Sequence, residues 1–346
     1  MLDLDLMDSY DYQLPEELIA QSPVEPRDSS RLMVLPRTGG SIDHRIFRDV
    51  KDYLLPGDLL VLNDTRVMKS RLLGRKPSSG KVEVFLLSPL DEEGTLWQAL
   101  VKPGRKVPHG TCVLFSDSEA DMAIVEDRIG DGLRLVRFPN CNGRDIANRL
   151  GDVPLPPYIE NDAVDENRYQ TIYCDPCKER SVAAPTAGLH FTEELIRSLN
   201  DKGVRTSFVT LDVGIGTFRP VKTERASAHI MHQEVCSVPE STAELIAATK
   251  SKGGRVIAVG TTVVRTLESF GLNGIKGRSF STNLFIRPGF QFKVVDGLVT
   301  NFHLPRSTLL MLVVAFAGYH NVMNAYKEAV SKRYRFFSFG DAMLIL

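Results

Sequence analysis

A block of short apolar alternations in the middle of this chain constrains its fold more than any other feature. Between Leu72 and Phe138 the runs starting at Val82, Leu96, Cys112, Met122 and Leu133 alternate apolar and polar residues at the period of a strand. Turn residues separate them: Ser78-Ser-Gly80, Asp91-Glu-Glu-Gly94, Lys102-Pro-Gly104, Asp117-Ser118 and Arg128-Ile-Gly-Asp-Gly132. Strands this short close into a small barrel or Greek key, because closure removes exposed edges. The block reads as an insertion, with a β-barrel domain over residues 67–149 and a discontinuous α/β domain over 1–66 and 150–346.

The flanking sequence changes period. Thr192 followed by Glu193 and Glu194 opens a helix that ends near Gly203 and leads to a strand from Val204 to Leu211. Ser241-Thr-Ala-Glu244 reads as a capping box, and its helix stops at Gly253-Gly254 before the apolar strand Arg255–Val259. Helix and strand in alternation predict a layered, mixed sheet with helices on its faces. The longest apolar run, Leu309 to Gly318, is half of the roughly 20 residues that a bilayer span needs, and reads as a buried helix. The N-terminus lacks the basic and apolar stretches of a secretory signal, so a cytoplasmic protein is expected. Five cysteines, odd in number and irregularly spaced, fit free thiols in a reducing compartment.

Four polar turns carry the chemistry. Val259-Gly-Thr-Thr-Val-Val-Arg265 runs from a strand into a helix; Leu211-Asp-Val-Gly-Ile-Gly-Thr-Phe218 leaves a strand through two glycines; Val299-Thr-Asn-Phe-His-Leu-Pro-Arg306 leads to the apolar helix; Ala184-Pro-Thr-Ala-Gly-Leu-His190 leads to the Thr192 helix. Helix N-termini present unpaired N–H groups there, and glycine lets a ligand approach the backbone. If these turns share one sheet edge, they form a single cleft. Gly214 and Gly216 lack the third glycine and the acid of a dinucleotide fingerprint. His229, His232 and Glu234 make an incomplete metal set, and Cys174-Asp-Pro-Cys177 has no second pair, so no metal is expected.

Lysine and arginine number 42 against 43 acidic residues, for a net charge of −1, so nucleic-acid binding would need a local patch. Arg66 to Lys81 holds basic residues and no acidic one. Lys332-Arg-Tyr-Arg-Phe-Phe-Ser-Phe339 interleaves cations with aromatics, as binders of single-stranded nucleic acid do, or forms a final buried strand.

The strings Leu14-Pro-Glu-Glu-Leu-Ile-Ala-Gln21, Asn63-Asp-Thr-Arg-Val67, Leu155-Pro-Pro-Tyr-Ile159, Tyr169-Gln-Thr-Ile-Tyr173, Val182-Ala-Ala-Pro-Thr-Ala-Gly-Leu-His-Phe191, Val213-Gly-Ile-Gly-Thr-Phe218, Gly260-Thr-Thr262, Thr300-Asn-Phe-His-Leu-Pro305 and Arg335-Phe-Phe-Ser-Phe-Gly-Asp341 resemble the S-adenosylmethionine:tRNA ribosyltransferase-isomerases of queuosine biosynthesis. The resemblance runs from Tyr10 to Leu346 in one order. It implies an α/β catalytic domain interrupted by a β-barrel. It also implies transfer and isomerisation of the ribosyl group of S-adenosylmethionine onto 7-aminomethyl-7-deazaguanine at the tRNA wobble position, giving epoxyqueuosine-tRNA, adenine and methionine. S-adenosylmethionine is then a substrate and no prosthetic group is expected; the partners are that tRNA and S-adenosylmethionine, with no membrane, and the chain is expected to be a monomer.

On that reading His190, Glu234 and His303 are candidate bases or proton shuttles. Thr186, Thr261 and Thr262 are candidate donors to ribose or carboxylate, Gly188, Gly214, Gly216 and Thr217 line the loops, Arg265 is a carboxylate clamp, and Asp341 balances the sulfonium or the substrate amine. Asn63 and Arg66 line the substrate cleft, Lys76 and Lys81 meet tRNA phosphates, and Tyr334 and Phe336 stack on anticodon-loop bases. The chain departs from the family's pattern at Arg180, where glycine is usual, and at Cys174-Asp-Pro-Cys177, which leaves the path of the nearby loop open. A tRNA methyltransferase using the same substrate lacks its usual glycine fingerprint here, and a non-catalytic tRNA-binding module would leave the polar turns unexplained.

Overall fold

The structure, a computed structural model, describes residues 2–130, 132–161, 164–214, 216, 221–273 and 279–346, with the side chains of 272 and 273 left aside. From the N-terminus the strands are β1 (Arg31–Leu35), β2 (Asp43–Ile46), β3 (Leu59–Asn63) and β4 (Arg66–Val67). Then come β5 (Arg71–Arg75), β6 (Lys81–Pro89), β7 (Leu96–Lys102), β8 (Thr111–Leu114), β9 (Met122–Gly130) and β10 (Leu133–Arg137). They are followed by β11 (Glu179–Ser181), β12 (Arg205–Leu211), β13 (Glu234–Ser237), β14 (Val256–Val259), β15 (Ser279–Thr282), β16 (Gly297–Asn301) and β17 (Ala342–Ile345). The α-helices are α1 (Val50–Tyr53), α2 (Gly143–Leu150), α3 (Glu193–Asp201), α4 (Glu240–Ser251), α5 (Thr261–Asn273), α6 (Thr308–Ala317) and α7 (Tyr319–Ser331). The chain divides into a unit of Met1–Arg66, Pro157–Lys178 and Ala184–Leu346, and a second of Val67–Pro156 and Glu179–Ala183.

The larger unit is built on a nine-stranded mixed sheet in the order β15-β13-β12-β3-β14-β16-β17-β1-β2. Four neighbours at its centre, β12, β3, β14 and β16, run parallel. Parallel strands are covered on both faces, so they read as continuous apolar runs rather than alternations. Strand β3 is buried along its whole length: Leu59 and Val61 pack into one core, Leu60 and Leu62 into the other. Strand β14 divides likewise, with Val256 and Ala258 on one face and Ile257 and Val259 on the other. The first face is covered by residues of α4, α5, α6 and α7, the second by Val50 of α1 and Leu195 and Leu199 of α3.

Several caps follow the sequence. Thr192 accepts from the Leu195 N–H at 3.1 Å, and Ser307 opens the buried helix α6 by accepting from the Leu310 N–H at 3.2 Å. The expected box at Ser241 does not form. Helix α4 starts at Glu240 with Pro239 as its N-cap, a residue whose ring carries no hydrogen-bonding group and so makes no side-chain cap. Thr242 bonds instead to the Phe208 carbonyl at 2.8 Å and the Ser207 hydroxyl at 2.9 Å, tying α4 to β12.

The smaller unit holds a closed six-stranded antiparallel barrel in the ring order β10-β7-β6-β5-β8-β9. Alternate residues of its strands, among them Val82, Val84, Leu86, Trp97, Ala99 and Val101, fill the interior. Gly143 at the start of α2 lets the helix close on the core: a Cβ there would lie 2.6 Å from both Trp97 Nε1 and a Phe138 ring carbon. The basic run that starts at Arg66 lies largely on the β5–β6 hairpin, where Arg71 pairs with Glu83 at 3.1 Å and Arg75 with Asp117 at 2.6 Å. Lys76 bonds to the Lys106 carbonyl, and Lys81 is exposed at the start of β6. Arg180 is exposed on β11.

Candidate active site

The register of the sheet brings the polar turns together. Because β12, β3, β14 and β16 are parallel, their C-terminal ends, and the turns that leave them, share one edge. Strand β13 runs antiparallel to β12, with Leu211 opposite Cys236, so Glu234 at its start reaches the same edge. Strand β17 runs antiparallel to β16, with Asn301 opposite Ala342, which places Asp341 there too. The chain leaves β3 for β12 on one side and returns through α4 to β14 on the other, a switch of direction at the carboxyl ends where open α/β sheets bind ligands.

Three clusters occupy this edge. In the first, Asn63 is fully buried and bonds to both the N–H and the C=O of Leu211 at 3.1 Å, so its amide clips β3 to β12 like an extra backbone pair. Its Nδ2 also lies 3.5 Å from Thr262 Oγ1. Asp64 beside it pairs with Lys178 Nζ at 2.5 Å and accepts from Thr210 Oγ1 at 2.8 Å, and the Thr65 hydroxyl donates to Asp212 at 3.2 Å. Gly260, between β14 and α5, has a φ of +93°, which favours glycine, and starts the turn that carries Thr261 and Thr262.

The second cluster is a buried ion pair. Glu234 and Arg265 join through Oε2 and Nη1 with both side chains at least nine-tenths buried. Glu234 Oε1 accepts from the Gly214 N–H at 3.3 Å, and Arg265 Nε donates to the Leu284 carbonyl at 3.1 Å. Arg265 Nη2 is buried and has no hydrogen-bond partner among the described residues. Gly216 lies against His232, where a Cβ would meet the ring at 2.6 Å; Thr217 lies outside the described residues.

The third cluster joins the turn Thr186–His190 to the end of β16. Asn301 Oδ1 accepts from Thr186 Oγ1 at 3.1 Å, and Asn301 Nδ2 bonds to the Phe337 carbonyl at 3.2 Å and to His190 Nε2 at 3.1 Å. A carbonyl only accepts, so the amide nitrogen is fixed as the donor and His190 Nε2 must be the acceptor. The proton therefore sits on Nδ1, which donates to Ser30 Oγ at 2.7 Å. Burial, with Arg335 and Arg27 nearby, lowers the His190 pKa to about 3. Burial alone lowers that of His303 to about 3, with its Nε2 on Thr300 Oγ1 at 2.9 Å. Gly188 makes room for Tyr173, whose hydroxyl would lie 2.0 Å from a Cβ at that position.

Some expected residues sit elsewhere. Tyr334 and Phe336 are 0 % exposed, packed with Phe302 and Tyr326 in the core, and have no surface on which a base could stack. The segment from Lys332 to Phe339 is not a strand either; the last strand is β17. Asp341 is spent on the chain itself, accepting from the Arg31 N–H at 2.9 Å and the Arg335 N–H at 2.8 Å. Arg66 lies on β4, partly buried. His229 meets Phe285 edge-on, and among the described residues no three His, Cys, Asp or Glu side chains group as a metal site. Sequence reasoning passed over Asp64, Lys178, Asp212 and Ser30, and placed Asn301 in its polar turn without giving it a role. Asp64 and Asp212 stand inside strings already singled out, and that adjacency was the available signal.

Fold and site together define an open α/β sheet with a polar carboxyl edge and an inserted barrel. The chain belongs to the family described as queuosine biosynthesis protein, whose profile matches residues 7–345. It is 55 % identical over 338 residues to the S-adenosylmethionine:tRNA ribosyltransferase-isomerase of Thermotoga maritima, covering 97 % of this chain and 98 % of that one. It is 51 % identical over 344 residues to the protein of the same name from Halothermothrix orenii, covering 98 % and 99 %. A crystal structure of the S-adenosylmethionine tRNA ribosyltransferase from Thermotoga maritima aligns with a TM-score of 0.56 at 45 % identity, over 98 % of this chain and 100 % of that one.

Proposed function

We propose that this chain is an S-adenosylmethionine:tRNA ribosyltransferase-isomerase that moves the ribosyl group of S-adenosylmethionine onto 7-aminomethyl-7-deazaguanine at the wobble position of tRNA, releasing adenine and methionine. The observation that carries this reading is identity above half along nearly the whole length of a relative of that name. The polar sheet edge supports it. S-adenosylmethionine brings its own activation: the sulfonium is a leaving group and acidifies the adjacent C5′–H. What remains for the protein is to take a proton, orient two substrates and stabilise charge.

Glu234 is the proton-transfer group in this proposal, because its carboxylate stands at the loop edge with one oxygen on Gly214 and the other on Arg265. His190 and His303 hold the site as neutral rings, since a nitrogen that already accepts a hydrogen bond and protonates only near pH 3 is a poor base at neutral pH. Arg265 offers its free Nη2–H to the substrate carboxylate, Thr186, Thr261 and Thr262 orient the ribose, and Gly188, Gly214, Gly216 and Thr217 keep the loops close to it. Asn63 and Asp341 shape the edge by tying backbone together, and Arg66 borders it. Residues 1–66 and 150–346 form the catalytic domain and 67–149 the barrel domain, whose Lys76 and Lys81 meet tRNA phosphates in a cytoplasmic monomer.

Adenine release tests the reading. Purified protein given S-adenosylmethionine should release stoichiometric adenine only with tRNA bearing the aminomethyl base, and that tRNA should gain the mass of an epoxycyclopentane. S-adenosylhomocysteine as product would mean methyl transfer and overturn it.

A further inference from the structure

A pocket beside His190, on the side away from Asn301's role in the sheet edge, is lined by Pro23, Val24, Arg27, Arg168, His190 and Ser338 among others. Two arginines on one small pocket is an unusual concentration of charge, and a third, Arg335, is close enough to act on His190. Two of the three also stand beside a carboxylate. Arg27 is held by carbonyls, with Nη1 on Gln170 at 2.7 Å and Nη2 on Asn167 at 3.0 Å. Arg168 meets the Val24 carbonyl at 2.8 Å and one carboxylate, that of the three-quarters exposed Glu25. Arg335 bonds to the Ser22 carbonyl at 3.1 Å, and its Nε is 3.8 Å from Asp341, whose oxygens already accept from two backbone N–H groups.

Two guanidinium N–H groups are left over. Arg168 Nε and Arg335 Nη2 are both buried, and neither has a hydrogen-bond partner. A buried cationic donor without an acceptor is costly and is rarely tolerated unless a ligand completes it. The carbonyls that hold Arg27 fix its orientation without cancelling its charge, which is how an oxyanion subsite is preorganised, and Arg168 keeps a donor over beside its exposed carboxylate partner. The neutral His190 on the wall adds no competing positive charge of its own.

We propose that this pocket is an oxyanion subsite for a backbone phosphodiester of the tRNA; the carboxylate of S-adenosylmethionine, given above to Arg265, is the competing occupant that the test separates. The pocket's free volume of about 20 Å³ admits the head of one such group and excludes a base or nucleoside. Both sources present two oxygens in the geometry a guanidinium reads, and the inference rests on the function proposed above, which supplies them as substrates.

The Arg168 Nε–H resonance of the wild-type protein is the direct readout. It should shift saturably on adding an anticodon stem-loop RNA; a shift with S-adenosylmethionine instead gives the pocket to the carboxylate and overturns both this occupant and the Arg265 clamp. Arg168→Gln, with melting temperature checked, should raise KM for the tRNA about tenfold and leave the KM of S-adenosylmethionine unchanged. The salt dependence of tRNA binding also flattens by about one contact; if the carboxylate holds the pocket instead, the variant no longer distinguishes S-adenosylmethionine from its decarboxylated analogue. A resonance that neither substrate moves, in protein that releases adenine normally, overturns the subsite and leaves the function standing. Failure of the wild-type protein to release adenine overturns the function instead. Should Arg168→Gln fail to fold, Arg27→Lys and the wild-type titration carry the same decision.

Discussion

The amide of Asn301 determines the protonation of a residue that its type alone would mark as a base: because its nitrogen must donate to the Phe337 carbonyl, it forces His190 Nε2 to accept and keeps the ring neutral. Replacing it with Asp puts an acceptor opposite Nε2, which favours the imidazolium. In Asn301→Asp the His190 ring should titrate at a higher pH than in the wild type, where NMR of the ring protons should show no titration between pH 5 and 8. A second prediction concerns the hydroxyl of Tyr173, which is buried without a partner beside Gly188. Tyr173→Phe removes an unsatisfied group and should raise stability by about 1 kcal/mol in urea unfolding. Gly188→Ala should lower it by roughly 1–3 kcal/mol, because the new Cβ lands on that hydroxyl.

At the scale of elements, single carboxylates hold segments to the sheet. Glu268 on α5 is fully buried and accepts from the backbone N–H groups of Lys293, Val294 and Val295 at 2.9 to 3.0 Å. Glu268→Ala strands three donors and should cost about 3 kcal/mol or more, and Glu268→Gln less, since the remaining oxygen still accepts. Comparing the urea midpoints of the two variants checks this; equal midpoints would contradict it. Asp58 plays the same part at the opposite ends of β3 and β14, where it pairs with Arg255 and accepts from the Leu55 N–H at 2.8 Å. Apolar runs and turn residues mark most of these elements in the sequence, including the barrel strands, α3 and the buried helix α6. The Ser241 box does not form because α4 already starts at Glu240, which puts Ser241 inside the first turn and leaves Thr242 to bond to β12.

For the whole molecule, two buried histidines make stability depend on pH. In the unfolded chain a histidine protonates near 6.5, while His190 and His303 in the fold do so only near pH 3. The unfolded state therefore binds more protons below about 6.5, and stability is lost as pH falls from there toward 3. From pH 7 to pH 5 each ring should cost about 2 kcal/mol, so the urea midpoint should fall steeply over that range, and His303→Asn should remove part of the fall. The amino-acid sequence by itself determined the two architectures and the barrel's place as an insertion along the chain of the α/β domain, because apolar periodicity and turn chemistry are local and act over a few residues. It also marked the polar turns one by one. Only the tertiary structure decided that these turns share one edge, since strand order and direction depend on contacts between distant segments. The same packing placed Tyr334 and Phe336 in the core, engaged Asp341 with backbone N–H groups and pushed the pKa values of His190 and His303 down to about 3: burial and the partners of each side chain, not its type, set what it can do.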